Sequence, residues 1–474
     1  MPIPRRAAAC ALLTLTLAGA QGTPAARPAA TPVPEAALNR VGAVRVVRPG
    51  LTVPGTPREL NASITIRYGP ARPRAVLLLM PGYLGGAGSF DRLARQIVAL
   101  DGAVAVWAVD RRSNLLEPQA ELARATPADL SRIVQRGLPA RPPGSVAFMQ
   151  DWGLDVALRD WRVAVQEART LTPNVFLGGH SMGGSLSGLY AAYDFAGQPG
   201  AADVRGLVML DGVPGLLADR PLTPQQYQQG GLNVLGPLAG LNRLAGRPYV
   251  DSLVFGPSLA SRAAAQARLA ALAPDALAPA GGLTPFPATN LAAGLLQLER
   301  RYALLPFLTL QTGRPTNAIE APSFTALALG GQDSHWLIGP QDRSRPVGWQ
   351  ADPAAPTDAL DFVRRFWTPL SDYSEWYFPN RLPLDLAAAR LNTRGTPFEQ
   401  RLRVWHTAEV TTPILGIAAQ HGVVTEDGFR AYAAGTRARL TTHTLAGASH
   451  LDIVAARGDQ VVRWILAWMA PLRR

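Results

Sequence analysis

The chain has 474 residues, 47% of them hydrophobic, which is enough to bury a large core and excludes wholesale disorder. Gly 45 and Pro 42 announce many loops and breaks. Only 17% of residues are charged, yet the formal net charge is +12, carried entirely by arginine because lysine is absent. The arginines are scattered singly or in pairs rather than gathered in a stripe, so the charge does not point to nucleic acid.

Residues 1–20 have the form of a secretory signal: Arg5 and Arg6, then the apolar run Ala7 to Ala20, with small residues at Ala18-Gly19-Ala20. The only cysteine, Cys10, lies inside that run, so a cleaved chain would hold no disulfide. No later stretch is long and apolar enough for a membrane-spanning helix, and the expectation is an exported protein, periplasmic or extracellular, with no integral membrane segment after cleavage. Residues 21–41 are Ala/Pro-rich and read as a disordered linker.

Strand-like alternation covers Val44 to Val47 and Ser63 to Tyr68. Ala75 to Met80 (AVLLLM) and Val104 to Val109 are continuous apolar runs, expected of strands buried on both faces. Phe90 to Leu100 and Asp151 to Thr170 carry helical spacing. Val175 to Leu177 reads as a strand, Ser185 to Tyr193 as a helix, and Val204 to Leu210 as a strand closed by Asp211. The alternation predicts a mostly parallel α/β sheet with helices on both faces. It lapses over 215–408, where helical pieces (Ser258 to Leu272, Ala288 to Tyr302, Asp358 to Phe366) stand among Pro/Gly turns. It resumes with Pro413 to Ala419, Phe429 to Ala434, Leu440 to Leu445 and a last helix near Leu451 to Met469. The predicted organisation is therefore one core from 42–214 and 409–474, interrupted by a helical insertion at 215–408.

Gly179-His180-Ser181-Met182-Gly183 stands between a predicted strand and a predicted helix. G-x-S-x-G at that junction is the pattern of a nucleophile elbow: a tight turn that glycines permit, with the Ser hydroxyl thrust above the sheet edge and a helix N-terminus facing it. With this elbow, the strand order and the late His450, the chain resembles an α/β-hydrolase of the lipase/esterase kind over about 42–212 and 410–474. The resemblance implies an eight-stranded sheet, the insertion as a cap between its sixth and seventh strands, and cleavage of carboxylic esters through an acyl-enzyme on Ser181.

It also implies the partners of that serine. His450, in Leu445-Ala446-Gly447-Ala448-Ser449-His450-Leu451-Asp452 past the last strand, stands where the family places its general base. The acid most often follows the seventh strand, but His421 occupies that place here. Asp211, at the end of the sixth strand, is the favoured replacement, with Glu426 and Asp427 as alternatives. Pro81-Gly82-Tyr83-Leu84-Gly85-Gly86 follows the third strand, where the family has a His-Gly-x turn, so the N–H groups of Tyr83 and Met182 are the expected oxyanion donors. Asp110-Arg111-Arg112 reads as an ion-pair structure at the sheet edge, with contact to a charged substrate as the alternative.

No His/Cys cluster, phosphate loop or dinucleotide fingerprint appears, so neither metal nor cofactor is expected. Aromatics in the insertion (Trp336, Trp349, Trp367, Tyr373, Trp376, Tyr377, Phe378) suit an apolar roof over a lipophilic ester or lipid, or the insertion's own core. Dehalogenase and epoxide-hydrolase chemistry is disfavoured, since those enzymes use a carboxylate nucleophile and this elbow holds Ser. Acyl transfer, amide or C–C hydrolysis at the same residues, and a non-catalytic binding protein on this fold, remain alternatives.

Overall fold

A computed structural model describes residues 32–474 except 216–221, 234–235, 253, 304, 306–308, 324–333, 367–373 and 390. The predicted signal, residues 1–20, lies outside the described residues. Within the stretch read as a linker, residues 32–41 instead pack on the core: Glu35–Asn39 is a short helix with Leu38 fully buried, and Val33 and Val41 are buried beside it. Three spaced aliphatic side chains in an Ala/Pro-rich context suffice to anchor it.

The core is an eight-stranded sheet. Its strands are β1 (Ala43–Pro49), β2 (Ala62–Tyr68), β3 (Ala75–Met80), β4 (Val104–Asp110), β5 (Val175–His180), β6 (Gly206–Leu210), β7 (Ile414–His421) and β8 (Leu440–Ser449). They lie side by side in the order β1-β2-β4-β3-β5-β6-β7-β8. β2 runs antiparallel to both β1 and β4, and every other pairing is parallel. This is the predicted α/β architecture.

Strand side chains alternate between faces. In β3, Val76, Leu78 and Met80 face one layer, and Ala75, Leu77 and Leu79 the other. Helices α2 (Leu154–Leu171) and α3 (Met182–Ala192) cover the first layer with Leu158, Trp161, Leu186 and Tyr190. Helices α1 (Asp91–Leu100) and α5 (Gln460–Met469) cover the second with Leu93, Ile97, Val462 and Ile465. A further helix, α4 (Glu426–Ala434), lies between β7 and β8. β3 lies between β4 and β5, so the chain reverses its direction of travel across the sheet there. In open α/β sheets such a reversal leaves a crevice at the C-terminal strand ends.

The insertion contains the predicted helices, at Pro257–Leu272 and Ala359–Phe366 to within a residue and at Asn290–Leu295 in shortened form, and adds Arg381–Ala389. It also carries three two-stranded sheets that the sequence pattern did not predict, Gly230–Asn233 with Gly236–Ala239, Gly313–Thr316 with Gly348–Ala351, and Ala318–Pro322 with His335–Pro340. These short ribbons contain Pro and Gly and keep exposed residues, so they lack the apolar runs that betray a buried strand. Trp376, Tyr377 and Phe378 are buried in the cores shared with the sheet domain, Trp349 is partly buried, and Trp336 is exposed. Trp367 and Tyr373 lie outside the described residues.

Among the described residues no helix is long and apolar enough to cross a membrane. Leu78, fully buried in the central strand, is a test of the packing. Leu78→Ala is expected to lower unfolding stability by about 2–5 kcal/mol, read from the urea midpoint.

Candidate active site

The elbow turns between β5 and α3. Ser181 sits at φ 57° and ψ −124°, a conformation that side-chain-bearing residues rarely adopt. The turn is tight enough to exclude side chains on both sides of the serine. A Cβ on Gly179 would lie 2.5 Å from the Met80 carbonyl oxygen, and one on Gly183 only 1.8 Å from it. The Ser181 N–H donates to the Leu210 carbonyl at 2.8 Å, which ties the elbow to the end of β6. Ser181 itself is only half-buried, and its hydroxyl takes no hydrogen-bond partner among the described residues.

One residue past Leu210, Asp211 takes a positive φ of 43° and turns its carboxylate into the interior, where it is fully buried. It accepts backbone N–H bonds from Ala419 (3.2 Å), Val423 (3.0 Å) and Val424 (3.2 Å), all in β7 or the turn after it. Its fourth donor is the Nδ1–H of His450, at 2.5 Å. A carboxylate oxygen accepts, so Nδ1 is the His450 nitrogen that donates in this bond, and Nε2 is the ring nitrogen not engaged by Asp211. Of the candidate acids, Asp211 is therefore the one the fold brings to His450. Glu426 accepts from Thr442 and Thr444 and pairs with Arg430; Asp427, largely exposed, also pairs with Arg430. His421 stands at the exposed end of β7, and burial, then Arg300, lowers its pKa.

The ring of His180 lies 4.3 Å from that of His450, centroid to centroid. Its Nε2 is 2.9 Å from the His450 carbonyl oxygen, which can only accept, so Nε2 carries the proton. Burial first, and then the neighbouring His450, push the His180 pKa well below the usual range. His180 is thus a neutral prop that fixes the backbone of His450.

The turn after β3 closes the other side. A Cβ on Gly82 would come within 2.9 Å of the Ser181 Cβ, so only glycine lets this turn lie against the serine. Neither the Tyr83 N–H nor the Met182 N–H has a hydrogen-bond partner among the described residues. The Tyr83 ring packs edge-on against Phe378 at 4.7 Å, and desolvation pushes its hydroxyl up to about 12, so it stays protonated.

Arg111 and Arg112 are buried in ion pairs, with Glu375 at 2.6 Å and Asp160 at 2.6 Å respectively. This is the structural reading of the Asp-Arg-Arg run, and it leaves neither guanidinium open to a ligand.

Several partners in the insertion escaped the sequence analysis. Asp452, fully buried, accepts from the Ser449 N–H (2.8 Å), Thr357 Oγ1 (2.6 Å) and the Gln311 N–H (3.2 Å). Burial pushes its pKa up to about 6 despite these donors. The Leu451 N–H donates to the Thr309 carbonyl at 2.8 Å. The loop carrying His450 is therefore held by the insertion, and no local signal in the sequence marks Thr309, Gln311 or Thr357. Among the described residues no group of His, Cys, Asp and Glu could hold a metal ion.

The strand order and crossovers define the α/β-hydrolase fold. A Sulfolobus solfataricus protein classed provisionally as a lipase matches with a TM-score of 0.50 at 13% identity, over 92% of this chain and 95% of that one. An epoxide hydrolase from an endophytic Streptomyces matches at 0.43 and 18% identity, over 91% and 96%. A soluble variant of monoglyceride lipase from Saccharomyces cerevisiae matches at 0.36 and 11%, over 90% and 99%. At such identities the likeness is one of fold. No protein-family model matches the sequence, and no curated protein does.

Because the folded state resists protonating His180 while the unfolded chain accepts the proton, its contribution to stability is full above the ordinary imidazole range near 6.5 and is lost progressively as pH falls below it towards the depressed folded-state value. The expected outcome in an NMR titration is a His180 ring signal that stays neutral from about pH 8 to 5.5, where an ordinary imidazole titrates.

Proposed function

We propose that this protein is a serine hydrolase that cleaves carboxylic esters, lipophilic ones in particular, through an acyl-enzyme on Ser181. The observation that carries the reading is the buried 2.5 Å bond from His450 Nδ1–H to Asp211 beside a half-buried serine on a strained elbow. Asp211 holds the imidazole in the tautomer that leaves Nε2 as a base, and stabilises the imidazolium once it forms. His450 Nε2 takes the Ser181 proton as Oγ attacks the ester carbonyl carbon. The carbonyl oxygen gains negative charge and receives the N–H groups of Tyr83 and Met182. His450 then returns the proton to the departing alkoxide, and water repeats the sequence to release the acid. Hydrogen bonds between a catalytic serine and its base are often long in unliganded enzymes and tighten once substrate binds.

Lipophilic substrates are supported by the apolar surroundings: Tyr83 packs between Phe255 at 6.2 Å and Phe378 at 4.7 Å next to the elbow. A serine in the elbow also favours an ester over substrates that need a carboxylate nucleophile. No metal or cofactor enters this scheme. Export is part of the same proposal, on the basic, apolar and small-residue order of residues 1–20.

The test is hydrolysis of p-nitrophenyl esters of rising acyl length. Ser181→Ala is expected to lose at least about 10⁴-fold in kcat, and Asp211→Asn about 10³–10⁴-fold. Glu426→Gln and Asp427→Asn are expected to stay within about twofold of wild type. Activity that survives in Ser181→Ala, or an inert Asp211→Asn, overturns the assignment of the respective residue. For export, mass spectrometry of the protein from an expressing bacterium is expected to find a chain that starts just after Ala20 in the extracytoplasmic fraction; an intact Met1 in the cytoplasm would contradict it.

A further inference from the structure

Arg111 stands directly after β4, and its guanidinium is spent on the backbone of the turn that bears Tyr83. Nη2 donates to the Gly82 carbonyl at 2.9 Å and to the Gly85 carbonyl at 2.8 Å, and Nη1 donates to the Pro81 carbonyl at 3.2 Å. The Gly82 carbonyl and the Tyr83 N–H are the two ends of one planar trans peptide, and they point in opposite directions. A cation that grips the carbonyl therefore fixes where the N–H aims. It also draws electron density through the amide and makes that N–H a better donor. The Gly85 N–H donates to the same Gly82 carbonyl at 3.2 Å, so the grip closes a compact turn.

The guanidinium is held in turn by the insertion. Its Nε donates to Glu375 Oε2 at 2.6 Å, and the Ser113 hydroxyl donates to the other carboxylate oxygen. The Glu375 N–H donates to the Leu84 carbonyl at 2.6 Å, and Gly85 and Ser374 form a β-bridge. Phe378 lies 5.0 Å from the guanidinium carbon and packs on the Tyr83 ring. One stretch of the insertion thus braces the turn through its backbone, its counter-ion and its aromatic face.

We propose that Arg111 is a positioning residue that aims the Tyr83 N–H at the developing oxyanion, and that Glu375 makes this aim depend on the seated insertion. The proposal rests on the reading of Tyr83 as an oxyanion donor to a Ser181 adduct. Arg111 touches no reacting atom. Its effect belongs to the transition state, where the oxyanion exists, and not to substrate binding. The insertion is on this account a part of the site and not a cover over it.

The test compares Arg111→Lys, Glu375→Gln and Ser181→Ala with wild type, each shown to be folded by circular dichroism. Two quantities are read: kcat and KM for p-nitrophenyl butyrate, and the inhibition constant of phenylboronic acid, whose serine adduct is tetrahedral and places an oxygen in the oxyanion position. Arg111→Lys keeps the charge and loses the fork; Glu375→Gln keeps the shape and loses the counter-charge. Both are expected to lower kcat about 10- to 100-fold with KM within about threefold, and to weaken the boronate by the same factor as kcat/KM. The double variant is expected to lose no more than the worse single one, since the two groups act as one unit. Folded variants with kcat within about twofold of wild type overturn the proposal, as does a loss that falls on KM or leaves boronate affinity unchanged. If Arg111→Lys does not fold, the near-isosteric Glu375→Gln carries the decision by the same criteria. Ser181→Ala separates the two levels: activity that survives there removes the acyl-enzyme reading itself, whereas a dead Ser181→Ala beside unaffected Arg111→Lys and Glu375→Gln removes only the positioning role.

Discussion

The hydrogen bond between Asp211 and His450 ties together the sheet edge on which the site is built. A carboxylate taken wholly out of water costs several kcal/mol unless donors surround it. Here the donors come from three places distant in sequence: the end of β7, the turn that follows it, and the loop after β8. They converge only if β6, β7 and β8 lie side by side, parallel and in this register. Asp211 must also enter the left-handed region at φ 43° to turn inward. The charge can stay buried only in a correctly assembled sheet edge, and that same edge carries the elbow through the Ser181–Leu210 bond.

The insertion interrupts the chain between β6 and β7, yet it is bonded to the sheet domain at the two loops that flank the elbow. On one side, Glu375 and Phe378 pack on the turn after β3. On the other, Thr309, Gln311 and Thr357 bind the backbone and the buried carboxyl around His450. These contacts are buried and charge-assisted in part, and they are of the kind that lock a geometry in place. The arrangement differs from a hinged flap that touches the core only through side chains at its rim.

Much of the site was legible because its signals are steric and local. AVLLLM announces a strand buried on both faces, and G-x-S-x-G leaves only glycine where the backbone of β3 crowds the turn. Other parts were invisible for the opposite reason. The choice between Asp211, Glu426 and Asp427 turns on which carboxylate points inward, and all three follow a strand closely enough to qualify. Glu375 lies 264 residues from Arg111, with no periodicity or motif to join them. The short ribbons of the insertion carry no such signal because their residues remain exposed, and the segment around the Glu35–Asn39 helix carries none because only Val33, Leu38 and Val41, spaced apart, are buried there.

The mostly parallel sheet and the elbow with Ser181 at its tip could be read from the residues alone, since each follows from residue size and spacing within a few turns of chain, and the late histidine followed from the resemblance those features carry. Which acid meets His450, the burial of His180 as a neutral prop, and the grip of the insertion on both loops beside the serine came out only in the folded molecule. Those outcomes depend on strand order and on desolvation. Both are properties of how distant segments pack, and no stretch of sequence holds them alone.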